Sequence, residues 1–119
     1  MSGITTTTAA FTSIELFLFA VKHGEPTDEE LENLGREIAE KWMSLGRRLE
    51  VSHPNMQEIN NAYDQLSEKG YRMLKHWKQE KGSAATYQAL CQALQHILVQ
   101  RQDLAEKFCY ITGKYCLQH

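Results

Sequence analysis

Five histidines, three cysteines and a basic run between Lys69 and Lys81 carry the side chains of this 119-residue chain that could do chemistry. His23, His53, His76, His96 and His119 could bind a metal together with Cys91, Cys109 and Cys116. Their spacing argues against it: Cys109 and Cys116 are seven apart, and no Cys-x-x-Cys or His-x-x-x-His is present. Closed zinc sites draw their ligands from tighter pairs. Neither a metal nor a cofactor is therefore expected. Cys91 falls on an apolar helical face and reads as a small core residue, whereas Cys116, near the C-terminus, reads as exposed and oxidisable. A nucleophilic enzyme needs Ser or Cys held against a base and an orienting group. Ser, His and Asp occur here in no such motif, and no Gly-rich phosphate loop follows a strand, so no enzyme is expected.

The basic run is the more serious chemical signal. Lys69, Arg72, Lys75, His76 and Lys78 crowd one predicted helix that also holds Tyr71 and Trp77. In isolation this could be the recognition helix of a helix-turn-helix nucleic-acid-binding domain, which is the alternative reading. Two features oppose it. Trp77 shares a face with Met73 and Leu74, as a core residue would. The formal net charge is -2, whereas a nucleic-acid-binding domain shows a basic excess. No nucleic acid is expected as a partner.

The elements that would position these residues are helical. Hydrophobic content of 42% with 24% charged residues is the balance of an ordinary globular protein, and the length suits one domain. The longest apolar run, Ile14 to Val21, is interrupted by Glu15 and is far shorter than the roughly 20 residues a spanning helix needs. No Lys or Arg precedes it, so it is also a poor signal peptide. No membrane insertion is expected. Residues 1–25 read as an N-terminal extension: a Thr-rich start, then a dense apolar strip from Phe11 to Val21 that packs on the bundle or ends a preceding domain. Residues 113–119 read as a tail.

Gly24-Glu25-Pro26 breaks the strip, and Thr27 to Glu30 form a capping box at the start of a first helix with Leu31, Leu34 and Ile38 inward. Trp42, Leu45 and Leu49 mark a second helix, with the join near Gly35 or near Ile38-Ala39. Ser52-His53-Pro54 opens a third, Pro being well placed in a first turn, with Met56, Ile59 and Tyr63 inward. Leu66, Gly70, Met73, Leu74 and Trp77 line a fourth, closed by Gly82. Thr86 caps a fifth, with Tyr87, Leu90, Cys91, Leu94, Ile97 and Leu98 on its face. Asp103 caps a sixth, with Leu104, Ala105, Phe108 and Ile111 inward. The prediction is an all-α, six-helix antiparallel bundle. Its core includes Trp42, Leu45, Leu49, Ile59, Leu74, Trp77, Leu90, Leu94, Leu104 and Phe108.

The ordered set Trp42, Leu45-Gly46-Arg47, Leu49, Leu74, Trp77, Gly82, Ala85-Thr86, Leu90, Ala93-Leu94 and Asp103-Leu104-Ala105 resembles the death-domain family over residues 26–112. The stretch from Trp42 to Ser52 and that from Leu66 to Lys69 look most like the death domains of Fas-associated adaptors. The resemblance implies a non-catalytic module for apoptotic or inflammatory signalling in the cytoplasm. Its partners would be other death-domain proteins, receptor tails or adaptors, with self-association also possible for the fold. Association would run through asymmetric surface pairs, which propagate rather than close. On that plan Lys41, Arg47, Arg48, Glu50 and Glu58 lie on helices two and three, and Lys69, Arg72, Lys75 and Lys78 on helix four. Glu29, Glu32 and Glu37 make helix one acidic. Opposite-sign faces on one small domain suit head-to-tail docking. The plain alternative for each residue is a solvated helix face whose ion pairs contribute little.

Overall fold

The computed structural model describes residues 21–111. The Thr-rich start, the strip from Phe11 to Phe19, and the tail with Cys116 lie outside the described residues. Among the described residues six α-helices follow in order, with two 3-10 turns: α1 (Asp28–Ile38), a turn (Ala39–Lys41), α2 (Trp42–Arg48), α3 (His53–Ala62), α4 (Leu66–Lys81), a turn (Gly82–Ala84), α5 (Tyr87–Gln95) and α6 (Gln102–Cys109). The all-α bundle read from the sequence is what the chain forms.

Local chemistry sets most helix starts. The Thr27 hydroxyl accepts from the Glu30 amide at 3.1 Å, while the Glu30 carboxylate accepts from the Thr27 amide at 2.9 Å. Two of the amides left without partners at a helix start are thereby satisfied. Ser52 accepts from Asn55 at the head of α3 and Thr86 from Ala89 at the head of α5. The cap of α6 differs from expectation: Arg101 is the cap residue and Asp103 sits in the first turn, where its carboxylate pairs with the Arg101 guanidinium at 3.0 Å. A carboxylate there still suits the positive helix end.

The join between α1 and α2 falls at Ala39, which has φ +49°, and not at Gly35. Gly35 lies inside α1, where the helix crosses α4 at Gly70. The second helix ends in a Schellman turn: the Val51 amide donates to the Gly46 carbonyl at 2.9 Å and the Glu50 amide to Arg47 at 3.1 Å. Glu50 occupies the left-handed position with φ +68°, so it belongs to this turn and not to helix two or three. Lys41 likewise sits in the 3-10 turn before α2.

The core is continuous through all six helices. Trp42, Leu45, Leu49, Leu74, Trp77, Leu90, Leu94, Leu104 and Phe108 are buried as expected. Ile59 is half-buried at the edge of that core, because α3 touches the bundle mainly through Met56. Tyr63 closes α3 as its cap residue. Leu66, placed inward by periodicity, is exposed at the first position of α4, and Ile97 and Leu98 are exposed beyond the end of α5. After Gln95 the chain turns: the amides of Val99 and Gln100 both donate to the His96 carbonyl, and Arg101 donates to Leu94. The turn brings Val99 into the core, fully buried, in place of Leu98. Ile111 lies past α6 and is half-buried, and Cys109 is the inward residue of that last turn.

Residues Val21–Pro26 form a strap across the bundle. Val21 makes an isolated antiparallel bridge with Tyr110 and is fully buried. The Lys22 amide donates to the Cys109 carbonyl at 2.7 Å, and the Tyr87 amide to Gly24 at 3.1 Å. Lys78 Nζ donates to the Pro26 carbonyl at 2.6 Å. Glu30 on α1 ties the strap to α5, accepting from Lys22 Nζ at 2.8 Å and from the Tyr87 hydroxyl at 2.5 Å.

Candidate protein interface

The nine charged residues singled out from sequence divide by what they touch. Lys69 and Lys78 face inward: Lys69 Nζ donates to the Asn60 side chain at 2.7 Å and so ties α4 to α3, and Lys78 holds the strap. Lys75 and Arg72 are partnered on the surface. Lys75 Nζ lies 3.3 Å from the Asp28 carboxylate, which also accepts from the Tyr71 hydroxyl at 2.9 Å. The Tyr71 hydroxyl, then Lys75, hold the Asp28 carboxyl below its usual range, and the same Tyr71 and Asp28 contacts raise Lys75. Arg72 pairs with Glu68 at 2.8 Å and lies over the rings of Tyr63 and Tyr71, 5.1 and 5.5 Å from their centroids. The Glu68 contact raises the Arg72 guanidinium further above neutrality.

Arg47 and Arg48 stand apart from these. Both are exposed at the C-terminal end of α2. Among the described residues neither has a carboxylate within ion-pair distance. Arg47 reaches the Met43 sulfur at 4.0 Å and Arg48 lies 3.4 Å from His96 Nε2. They line a groove of about 620 Å³ between the end of α2, the end of α4 and α5, together with Lys81, His96 and the edge of Trp77. Its one carboxylate, Glu50, is taken by Lys81 at 3.1 Å. The wall is therefore net cationic, and acidic surface is what it would attract.

Glu58, also exposed, lines a second hollow of about 370 Å³ between α3 and α4 with Ile59, Tyr63, Arg72 and Lys75. The structure thus brings Arg47, Arg48 and Glu50 together in one groove and Glu58, Arg72 and Lys75 in another. Lys41 lines neither. Of the acidic residues on α1, Glu37 is paired with Lys107 at 2.5 Å, while Glu29 and Glu32 are exposed and have no ion-pair partner among the described residues. Lys81 and His96 were not singled out by sequence as groove residues. Each lies at a helix end whose neighbours only the tertiary fold determines.

The described residues hold no group of three or more His, Cys, Asp or Glu placed to bind a metal ion, and no helix long and apolar enough to cross a membrane. The described residues thus form an all-α bundle with a continuous apolar core and a cationic groove on its surface. The death-domain family model matches residues 28–112. The chain is also similar to human receptor-interacting serine/threonine-protein kinase 1, 32% identical over 89 residues, which is 72% of this chain and 13% of the kinase. The chain belongs to the death-domain family, whose members are non-catalytic modules that bind other death domains. It spans about an eighth of the length of that curated relative.

Proposed function

We propose that this chain assembles signalling complexes in the cytoplasm by homotypic death-domain association, in apoptotic or inflammatory signalling, with Arg47 and Arg48 at the centre of a docking face. One observation carries the reading. These two arginines are the exposed cations of the candidate set that line a groove and, among the described residues, have no carboxylate partner of their own, the groove's Glu50 being paired with Lys81. The cations of α4, by contrast, are partnered inside the domain. Glu29 and Glu32 on α1 offer the opposite sign for head-to-tail docking on another death domain. Complementary charge raises association rates and fixes orientation, and its effect weakens with salt. The internal partners of Lys69, Lys75 and Lys78 also weigh against the nucleic-acid reading, since phosphate binding would have to displace them.

Light scattering coupled to size exclusion, at several concentrations and two salt levels and with death domains of other proteins added, tests this. Mass that grows with concentration or partner and falls at high salt supports it. A strict monomer that binds no death domain overturns it.

A further inference from the structure

His96 closes α5 as its cap residue and lines the same groove as Arg48. The Leu98 amide donates to His96 Nδ1 at 3.1 Å. A neutral imidazole carries its hydrogen on one nitrogen only, so an accepting Nδ1 leaves that hydrogen on Nε2. Nε2 lies 3.4 Å from Arg48 Nη1, and a guanidinium can only donate. Two donors therefore meet at the groove wall. Among the described residues no acceptor serves them, because Glu50, the groove's carboxylate, is taken by Lys81. An oxyanion that accepts from both would complete the pair. The reverse holds in a hollow of about 310 Å³ between α1 and the start of α4. There Arg36 donates to Asn33 and Arg72 to Glu68, while Glu32 is exposed and has neither an ion-pair nor a hydrogen-bond partner among the described residues. We propose that a second copy of this chain docks head to tail, with the second copy's Glu32 carboxylate accepting from Arg48 and His96 and the second copy's Leu66 packing on Ile97 and Leu98.

The apolar surface falls at the same two places. Among the described residues the exposed large apolar side chains are Leu66, Ile97 and Leu98. Ile97 and Leu98 directly follow His96, in the turn after α5. Leu66 directly precedes Ser67, which lines the hollow that holds Glu32. Each face thus joins an unmet half of a charge-assisted hydrogen bond to apolar surface that gains from leaving water. The polar halves are opposite in sign, so the two faces fit each other and neither fits itself. They also sit at opposite ends of α4: Ser67 and Glu68 line the hollow, and Trp77 and Lys81 line the groove. At 1.5 Å per helical residue the ends stand about 20 Å apart. One copy can therefore use both faces at once, and such a contact propagates rather than closes. This inference rests on the homotypic reading above and deepens it by naming the occupant of the groove and the role of His96 as its second donor.

Complementation between two variants of the full chain tests it by sedimentation velocity. Arg48→Glu spoils the groove and keeps Glu32; Glu32→Gln spoils the hollow and keeps the groove. Each alone should self-associate at least about tenfold more weakly than the parent, as loss of a charge-assisted hydrogen bond requires. Mixed in equal amounts they should form a dimer of one copy each that grows no further, because one intact groove meets one intact hollow. His96→Phe, which lacks the second donor, should also associate several-fold more weakly than the parent. Both substituted sites are exposed, and circular-dichroism spectra matching the parent verify that the variants are folded. A mixture that stays monomeric overturns the proposal, as does either single variant that associates like the parent. A parent that stays monomeric at every concentration overturns it too, and if that parent still binds the death domain of another protein, the homotypic reading stands without self-docking.

Discussion

Gly35 and Gly70 meet where α1 crosses α4: a Cβ on Gly70 would stand 2.8 Å from the Gly35 carbonyl oxygen, and one on Gly35 would stand 2.6 Å from the Tyr71 amide nitrogen. Both obstacles are backbone, so neither can rotate away. In an ordinary helix Gly→Ala is stabilising by roughly 0.5–1 kcal/mol. Here the sign should reverse, because the added methyl must push two helices apart. Gly35→Ala is expected to cost about 1–3 kcal/mol, the range for overpacking, read as a lower urea midpoint. A midpoint at or above that of the parent would show that the helices do not cross so closely.

Trp77 offers a direct test of the core. It is only 2% exposed, between α4 and the α5 side of the bundle. Trp77→Ala should cost about 3–5 kcal/mol, as large aromatic truncations do, a large share of the roughly 5–15 kcal/mol by which a domain is stable. A well-folded variant of unchanged denaturation midpoint would remove Trp77 from the core.

Glu50 holds a left-handed backbone position, φ +68°, that glycine fills without strain. Relief of that strain is worth roughly 1–2 kcal/mol. The exposed pair lost with Lys81 is worth about 0–1 kcal/mol. Glu50→Gly is therefore expected to raise the melting temperature. A lowered one would mean that the Glu50–Lys81 contact outweighs the backbone term.

These three positions also mark how far the sequence could be read. The starts of α1, α3 and α5 were legible because a cap is a local device: Thr27 with Glu30, Ser52 before Pro54, and Thr86 each place a side-chain oxygen over amides within three residues. The close crossing at Gly35 was not, since nothing within α1 reports the backbone of α4. The end of α5 was missed for a related reason. Ile97 and Leu98 continue the apolar period, and neither Gly nor Pro interrupts it, yet the turn closed on the His96 carbonyl puts Val99 into the core. The charged set was legible in kind. For Glu50, Lys75 and Lys78, which of them is free for a partner depended on contacts 31, 47 and 52 residues away in sequence, with Lys81, Asp28 and Pro26.

Glu30 should make stability depend on acid. Burial disfavours its charge, but hydrogen bonds from Lys22, Tyr87 and the Thr27 amide outweigh this and hold the carboxyl below its usual value of 4.5. A carboxyl depressed in the folded state stabilises fully above its unfolded value, and that contribution is lost as pH falls through the folded value. The melting temperature of the parent should therefore exceed that of Glu30→Gln clearly at pH 6, with the gap narrowing toward pH 3. An equal gap at both pH values would mean that the charge of Glu30 contributes nothing.

Arg47 and Lys78 separate docking from stability. Both are basic residues of the candidate set, but Arg47 is exposed beside Arg48 on a groove wall, while Lys78 is half-buried against the Pro26 carbonyl. Reversing both arginines, Arg47→Glu with Arg48→Glu, should leave helix content intact and weaken association with a death-domain partner, most at low salt, where the charges are least screened. Lys78→Met should do the opposite. It leaves a carbonyl under the strap without its donor, at a cost of about 1 kcal/mol, and should lower the melting temperature while the folded variant still docks. Sedimentation velocity with a death-domain partner and thermal melts on the same samples read both quantities. If the double reversal binds as the parent does, this groove is not the docking face. If Lys78→Met loses binding at full stability, the face extends onto α4.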